Sequence, residues 1–164
     1  MKIKFIAVGG TIDKVYFDAL SKYEIGESSI HDILKCARVN FDYDVSSLLR
    51  KDSLDMTDQD RSIIHQAVQG DPHDRIIITH GTDTMIETAK VLADIKNKVI
   101  VLTGAMEPAK FTSSDAIFNV GSAVAAVQTL PPGVYLVMSG RVFSPDNARK
   151  NRVLKQFEEK NVTF

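Results

Sequence analysis

The chain has 164 residues, 44% hydrophobic and 25% charged, with 20 Lys and Arg against 21 Asp and Glu for a net charge of −1. That length fits one domain burying roughly 70% of its unfolded surface, and the balanced charge gives no electrostatic footprint for nucleic acid or an anionic membrane surface. The single cysteine, Cys36, excludes an internal disulfide; with no leader pattern and no apolar run of about 18 residues, a cytoplasmic protein is expected.

The first aliphatic run, Ile3 to Val8, ends in Gly9-Gly10-Thr11 and reads as a buried parallel strand. Ile12 to Glu27 carries charges and tyrosines without a sustained period, as in a long loop or hairpin. Ser28 or Ser29 opens a short helix through Ile30, Ile33, Leu34 and Ala37. Val39, Phe41, Tyr43 and Val45 alternate with Asn40, Asp42 and Asp44, which predicts a half-buried strand near a sheet edge. Thr57 and Asp60 have capping-box spacing before a helical face of Ile63, Ile64, Ala67 and Val68, closed by Gly70 and Pro72. Ile76-Ile77-Ile78 is a second buried run, followed by Thr79-His80-Gly81-Thr82-Asp83 and a helix through Met85, Ile86, Ala89, Val91 and Leu92. Val99 to Leu102 is a third, ending in Thr103-Gly104-Ala105-Met106. Ser114-Asp115 begins an alanine-rich helix from Ala116 to Gln128, and Pro131-Pro132-Gly133 breaks it before a fourth run, Val134 to Met138. A charged tail runs from Arg149 to the end. The alternation β-loop-α-β-α-β-α-β-α-β predicts a parallel sheet with helices on both faces, in one domain over residues 1–164.

In such sheets ligands bind outside the carboxyl ends of the strands. This chain places two hydroxyls, Thr11 and Thr82, and a carboxylate, Asp83, at such ends, which predicts chemistry on a small polar molecule. A threonine hydroxyl becomes nucleophilic only when a base removes its proton or its surroundings stabilise the alkoxide. Gly9-Gly10 lets the backbone approach a ligand closely, and Tyr16 and Tyr23 are candidate bases or orienters of the hydroxyl. The competing explanations are structural: Thr11 caps a turn, the tyrosines pack in a hairpin, and Thr82-Asp83 initiates a helix. Ser53 and Asp55, in Asp52-Ser53-Leu54-Asp55-Met56, offer either ligand contacts or a polar turn. No dinucleotide or P-loop glycine pattern and no G-x-S-x-G elbow occurs, and His31, His65, His73 and His80 lack metal-ligand spacing, so neither cofactor nor metal is expected.

Gly9-Gly10-Thr11-Ile12, Thr79-His80-Gly81-Thr82-Asp83-Thr84-Met85, and Thr103-Gly104-Ala105-Met106 with Pro108 closely resemble the motifs of the bacterial-type L-asparaginases. Ser114-Asp115-Ala116 and Phe118-Asn119 extend the match over most of the chain. The resemblance implies a flavodoxin-like three-layer α/β sandwich with a mainly parallel sheet, equivalent to the N-terminal domain of long asparaginases. It implies an amidohydrolase converting L-asparagine to L-aspartate and ammonia, with minor activity on glutamine. Position by position, Thr11 matches the nucleophile, Thr82 the second threonine, and Asp83 the aspartate that holds the substrate amino group. Ser53 matches a residue that binds the substrate carboxylate. Gly10, Asp55, Gly81 and Ala105 complete the implied substrate contacts, with backbone N–H groups near Thr11 and Ala105 holding the oxyanion.

Tyr23 fits the lid tyrosine of long members, whereas Tyr16 lies nearer Thr11 and suits a shorter lid. The family lysine falls at Lys150 or Arg149; Lys150 is favoured because arginine stays protonated at neutral pH. Against that, Asn151 to Lys160 reads as a solvated charged helix in which one lysine is unremarkable, and Lys155 and Lys160 are expected to be bystanders. Leu54 stands where long members commonly have a polar substrate contact. Long members also complete the site with a second domain across a subunit contact, so a short single-domain chain is expected to work as a homo-oligomer, dimer or tetramer. The competing class is a non-catalytic amino-acid-binding or regulatory module that keeps the pocket without turnover.

Overall fold

Alternation within the first strand sets the layers. In β1 (Lys2–Gly9) Ile3 and Phe5 pack on one side of the sheet and Ile6 and Val8 on the other, so both faces are buried and the strand is almost continuously aliphatic. The same holds for β5 (Arg75–Thr79), β6 (Val99–Thr103) and β7 (Gly133–Met138). The computed structural model describes residues 1–17 and 22–160.

One core packs α2 (Asp58–Gly70) and α3 (Met85–Val91) against the sheet through Ile64, Val68, Met85 and Ala89. The opposite core packs α1 (Ile30–Cys36) and α4 (Ala116–Thr129) through Ile30, Leu34, Val120, Ala123 and Val127. The small residues of α4 are therefore largely core. Three layers result, as the β/α alternation requires.

The main sheet has six strands in the order β4-β1-β5-β6-β7-β8, where β4 is Asp42–Lys51 and β8 is Arg141–Phe143. The first five are parallel and β8 is an antiparallel edge. This is the flavodoxin-like order, whose switch point lies between β1 and β5: from β1 the chain moves outward to β4, then returns to the other side. The edge position of β4 matches its alternating sequence.

Most expected elements form. The capping box at α2 closes in both directions: the Asp60 N–H donates to Thr57 Oγ1 at 3.2 Å and the Thr57 N–H to Asp60 Oδ2 at 2.8 Å. At α1, Ser29 occupies the N-cap without a side-chain cap bond, and Ser28 Oγ accepts from the Ile30 N–H at 3.4 Å.

The segment after Thr11 is a hairpin, β2 (Lys14–Phe17) against β3 (Lys22–Ile25), with residues 18–21 of the expected loop outside the described residues. The charged stretch Asn151 to Lys160 corrects the expectation of a solvated helix. It belongs to an antiparallel hairpin, β9 (Ala148–Asn151) against β10 (Gln156–Glu159). Phe157 explains the difference: it is buried between Gln156 and Glu158, its ring 6.3 Å from that of Phe143, so the segment follows a period of two. With Val153 and Leu154 exposed in the turn, one buried apolar residue among charges is too weak a periodic signal to show this in sequence.

Candidate active site

Both threonine turns lie at the carboxyl ends of β1 and β5, on either side of the switch point, and glycine lets them touch. Gly9 and Gly10 have φ of 99° and 93°. A Cβ on Gly10 would collide with the backbone of Gly81, and one on Gly81 would come within 2.6 Å of Ser53 Oγ. Only glycine combines positive φ with such approach. The turn is pinned from β4, since the Gly10 N–H donates to the Lys51 carbonyl at 3.0 Å. Thr11 then opens a 3-10 turn, Thr11–Asp13.

Thr82 is buried, and its Oγ1 accepts from Lys150 Nζ at 2.8 Å. The same ammonium donates to Asp83 Oδ1 at 2.8 Å. The Asp83 N–H donates to Ser53 Oγ at 3.3 Å, and Thr84 Oγ1 donates to the Ser53 carbonyl at 2.7 Å, which fixes the turn after β5 to the 3-10 turn Ser53–Asp55. Thr11, Thr82, Asp83 and Lys150 together line a cavity of about 290 Å³, with Met106, Arg152 and Lys155 completing the wall.

Strand parity separates Lys150 from Arg149. Lys150 pairs in register with Phe157, whose ring enters the core, so both point inward. Arg149 faces the other way and pairs with Glu158 at 2.9 Å.

His80 braces the turn beneath Thr82. Its Nδ1–H donates to the Gly81 carbonyl at 2.7 Å, and its Nε2 accepts from Thr88 Oγ1 at 2.8 Å. Burial pushes its pKa down to about 4, so it is neutral and structural. Asp13, buried behind Thr11, is pushed up to about 6 by burial despite accepting the Ser29 N–H at 2.8 Å. On the far side, Asn119 Nδ2 donates to the Gly104 carbonyl at 3.0 Å and its Oδ1 accepts the Ser139 N–H at 2.9 Å, locking the ends of β6 and β7. Asp115 accepts the Met106 and Glu107 N–H groups at 3.0 and 3.1 Å.

The remaining expected site residues lie around this cavity without lining it. Gly10, Gly81 and Ser53 are buried, packed against one another beside the two threonine turns; Ala105 is buried in the α1/α4 core at the end of β6. Tyr16 and Tyr23 face each other across the β2–β3 hairpin with rings 5.5 Å apart, 54% and 51% exposed, and neither lines the Thr11 cavity. Tyr23 and Asp55 line a separate polar cleft with Lys14, Arg50 and Lys51. Lys155, expected as a bystander, is instead on the cavity wall, held in a turn with φ of 50°. Lys160 donates to the Asp146 carbonyl. Arg152 and Lys155 were invisible as site residues in sequence, because the β9–β10 turn that delivers them carries no recognisable hairpin signal; Met106 stood in the Thr103-Gly104-Ala105-Met106 motif without being read as a wall residue.

Among the described residues no group of three or more His, Cys, Asp or Glu is placed to hold a metal, and no helix is long and apolar enough to cross a membrane.

A flavodoxin-like α/β domain with two threonines, a lysine and an aspartate converging at the switch point is thus a small-molecule site built on hydroxyl and amine chemistry. Comparison with known proteins narrows it. The family description "Asparaginase, N-terminal" matches residues 2–162. An L-asparaginase from Thermococcus kodakarensis is 33% identical over 154 residues, covering 87% of this chain and 45% of the relative. The solved structure titled the thermostable L-asparaginase from the same organism superposes with a TM-score of 0.85 at 28% identity, over 99% of this chain and 52% of that one. A probable cytoplasmic L-asparaginase from Campylobacter jejuni superposes with a TM-score of 0.80 at 27% identity, over 96% and 51%. The chain belongs to the asparaginase family, and it spans about half the length of these relatives.

Proposed function

We propose that this chain hydrolyses the side-chain amide of L-asparagine to L-aspartate and ammonia, with minor activity on glutamine. The observation that carries the reading is the double contact of Lys150 Nζ, at 2.8 Å to both Thr82 Oγ1 and Asp83 Oδ1, in one cavity with Thr11. Thr11 Oγ1 attacks the amide carbon, and its proton passes by way of the Thr82–Lys150 pair to the departing nitrogen. The oxyanion rests on backbone N–H groups near Thr11 and Ala105. Ammonia leaves a β-aspartyl ester on Thr11, and water cleaves that ester to restore the hydroxyl. Asp83 receives the substrate amino group and Ser53 its carboxylate, with Gly10 and Gly81 keeping the floor thin enough for the ligand to reach Thr11. Asp55 lies at the rim, and Tyr16 and Tyr23, on the β2–β3 hairpin, are the candidate assistants of Thr11 beside the Thr82–Lys150 pair.

The protein is placed in the cytoplasm, in keeping with its single cysteine and its likeness to a probable cytoplasmic L-asparaginase. It works as a dimer or tetramer, because a cavity rimmed by Arg152, whose side chain is 73% exposed, needs a neighbour to exclude water. Ammonia release from L-asparagine by the purified chain, lost in Thr11→Ala, is the deciding experiment. One observation favours a second reading: with no tyrosine lining the Thr11 cavity, the site would bind amino acids without turning them over. Asparagine binding without ammonia release would establish that alternative.

A further inference from the structure

The charge balance of the Thr11 cavity does not match a zwitterionic ligand with a neutral side chain. Its wall carries three cations, Lys150, Arg152 and Lys155, against one carboxylate, Asp83. That carboxylate is already engaged twice, by Lys150 Nζ at 2.8 Å and by Arg152 Nε at 3.7 Å. Amide hydrolysis at neutral pH changes the ligand in the direction this wall favours. L-Asparagine has no net charge, whereas L-aspartate carries a second carboxylate and a net charge of −1. Lys155 and the exposed side of Arg152 supply the unmatched positive charge for it.

We propose that the cavity binds a small amino dicarboxylate, the product of the reaction, more tightly than the corresponding amide, so that turnover is restrained by its own product. This rests on the reading of the Thr11 cavity as the substrate site. It adds a role for Arg152 and Lys155 as determinants of ligand charge. Their contacts are largely solvated, so the preference has the size of one exposed ion pair, about twofold to fivefold, and weakens with salt.

Calorimetric titration of the Thr11→Ala chain with L-aspartate and with L-asparagine tests the proposal without turnover. The expected result is tighter L-aspartate binding by about twofold to fivefold at low salt, falling towards parity at high salt. Arg152→Met with Lys155→Met should bring the two affinities to parity. Equal or tighter binding of L-asparagine by the parent chain, or a preference unchanged in the double variant, overturns the proposal. Ammonia release by the unsubstituted chain separates this from the assigned reaction. Preference for L-aspartate without ammonia release refutes the hydrolase reading and, with it, product restraint, and leaves only a charge preference of the cavity. Turnover that is insensitive to added L-aspartate refutes the proposal and leaves the hydrolase reading standing.

Discussion

Two buried groups beside the threonine turns titrate in the same pH range with opposite effects on stability. Asp13 has its pKa raised from 3.8 to about 6 by burial, so the folded chain holds its proton more tightly than the unfolded chain. Its contribution is fully present below pH 3.8 and is lost as pH rises through 6. His80 has its pKa lowered from 6.5 to about 4, also by burial, so its contribution is present above pH 6.5 and is lost as pH falls through 4. Each group alone gives a slope of about 1.4 kcal/mol per pH unit across the window between them. The slopes oppose, so stability should be nearly flat from about pH 4 to 6. Asp13→Asn removes one arm and keeps an oxygen for the Ser29 N–H. Stability of that variant should then climb with pH by about 3 kcal/mol over the window, a large fraction of a typical folding free energy. Urea unfolding at half-unit pH steps measures both profiles. The absolute offset also contains the cost of burying the new amide, so the slope is the test. A variant profile as flat as the parent's would refute the opposed titration of Asp13 and His80.

Thr11→Ala should abolish ammonia release and leave the thermal midpoint close to that of the parent, while Thr82→Val should lower the rate by about 100-fold or more, because valine keeps the shape but removes the hydroxyl that Lys150 contacts, leaving Lys150 only Asp83. Lys150→Met should cause a similar loss; Arg149→Met should leave the rate unchanged, since its pair with Glu158 is solvated and contributes about 0.5 kcal/mol at most. Gly10→Ala should destabilise the chain by about 3 kcal/mol, because it adds left-handed strain to a collision with Gly81, and chemical denaturation reads this directly. Light scattering at assay concentration should find a dimer or tetramer, and a fully active monomer would show that the cavity is complete in one copy.

The sheet and its helices were legible in the sequence because both faces of each central strand are buried, which leaves aliphatic runs with little ambiguity. The threonine turns were legible because glycine is required wherever two backbones touch, and Gly9-Gly10 and Gly81 mark those places. The charged end of the chain was not. Its hairpin is defined by Ala148, Lys150 and Phe157 facing inward, and Lys150 is charged, so the inward face has no hydrophobic signature. Lys150 was preferred over Arg149 on proton chemistry, and the strand parity that separates their positions was not available to that argument. Lys155 was read as a bystander for the same reason, since on a solvated helix it would have faced water, whereas it stands on the cavity wall. The tyrosines stand off the wall of the Thr11 cavity, since closeness in sequence does not fix which way a hairpin leans.

The β9–β10 hairpin has a consequence for how the site holds together. A two-stranded hairpin is marginal by itself, and this one is outside the main sheet. Its anchor is Phe157 against Phe143, supported by buried Ala148 and by Lys160 reaching the Asp146 carbonyl. Lys150, Arg152 and Lys155 all ride on it. The two threonines and Asp83, by contrast, sit at the ends of central strands whose opening requires disruption of both cores. The site therefore joins a rigid half, carrying the hydroxyls, to a half held by Phe157 and Ala148, the Lys160 bond and the ion pairs of Lys150, Arg152 and Glu159. Local opening of the hairpin would withdraw all three cations together without unfolding the sheet. A ligand carboxylate bound to those cations would tie the two halves together, so ligand affinity and hairpin order are coupled in this fold.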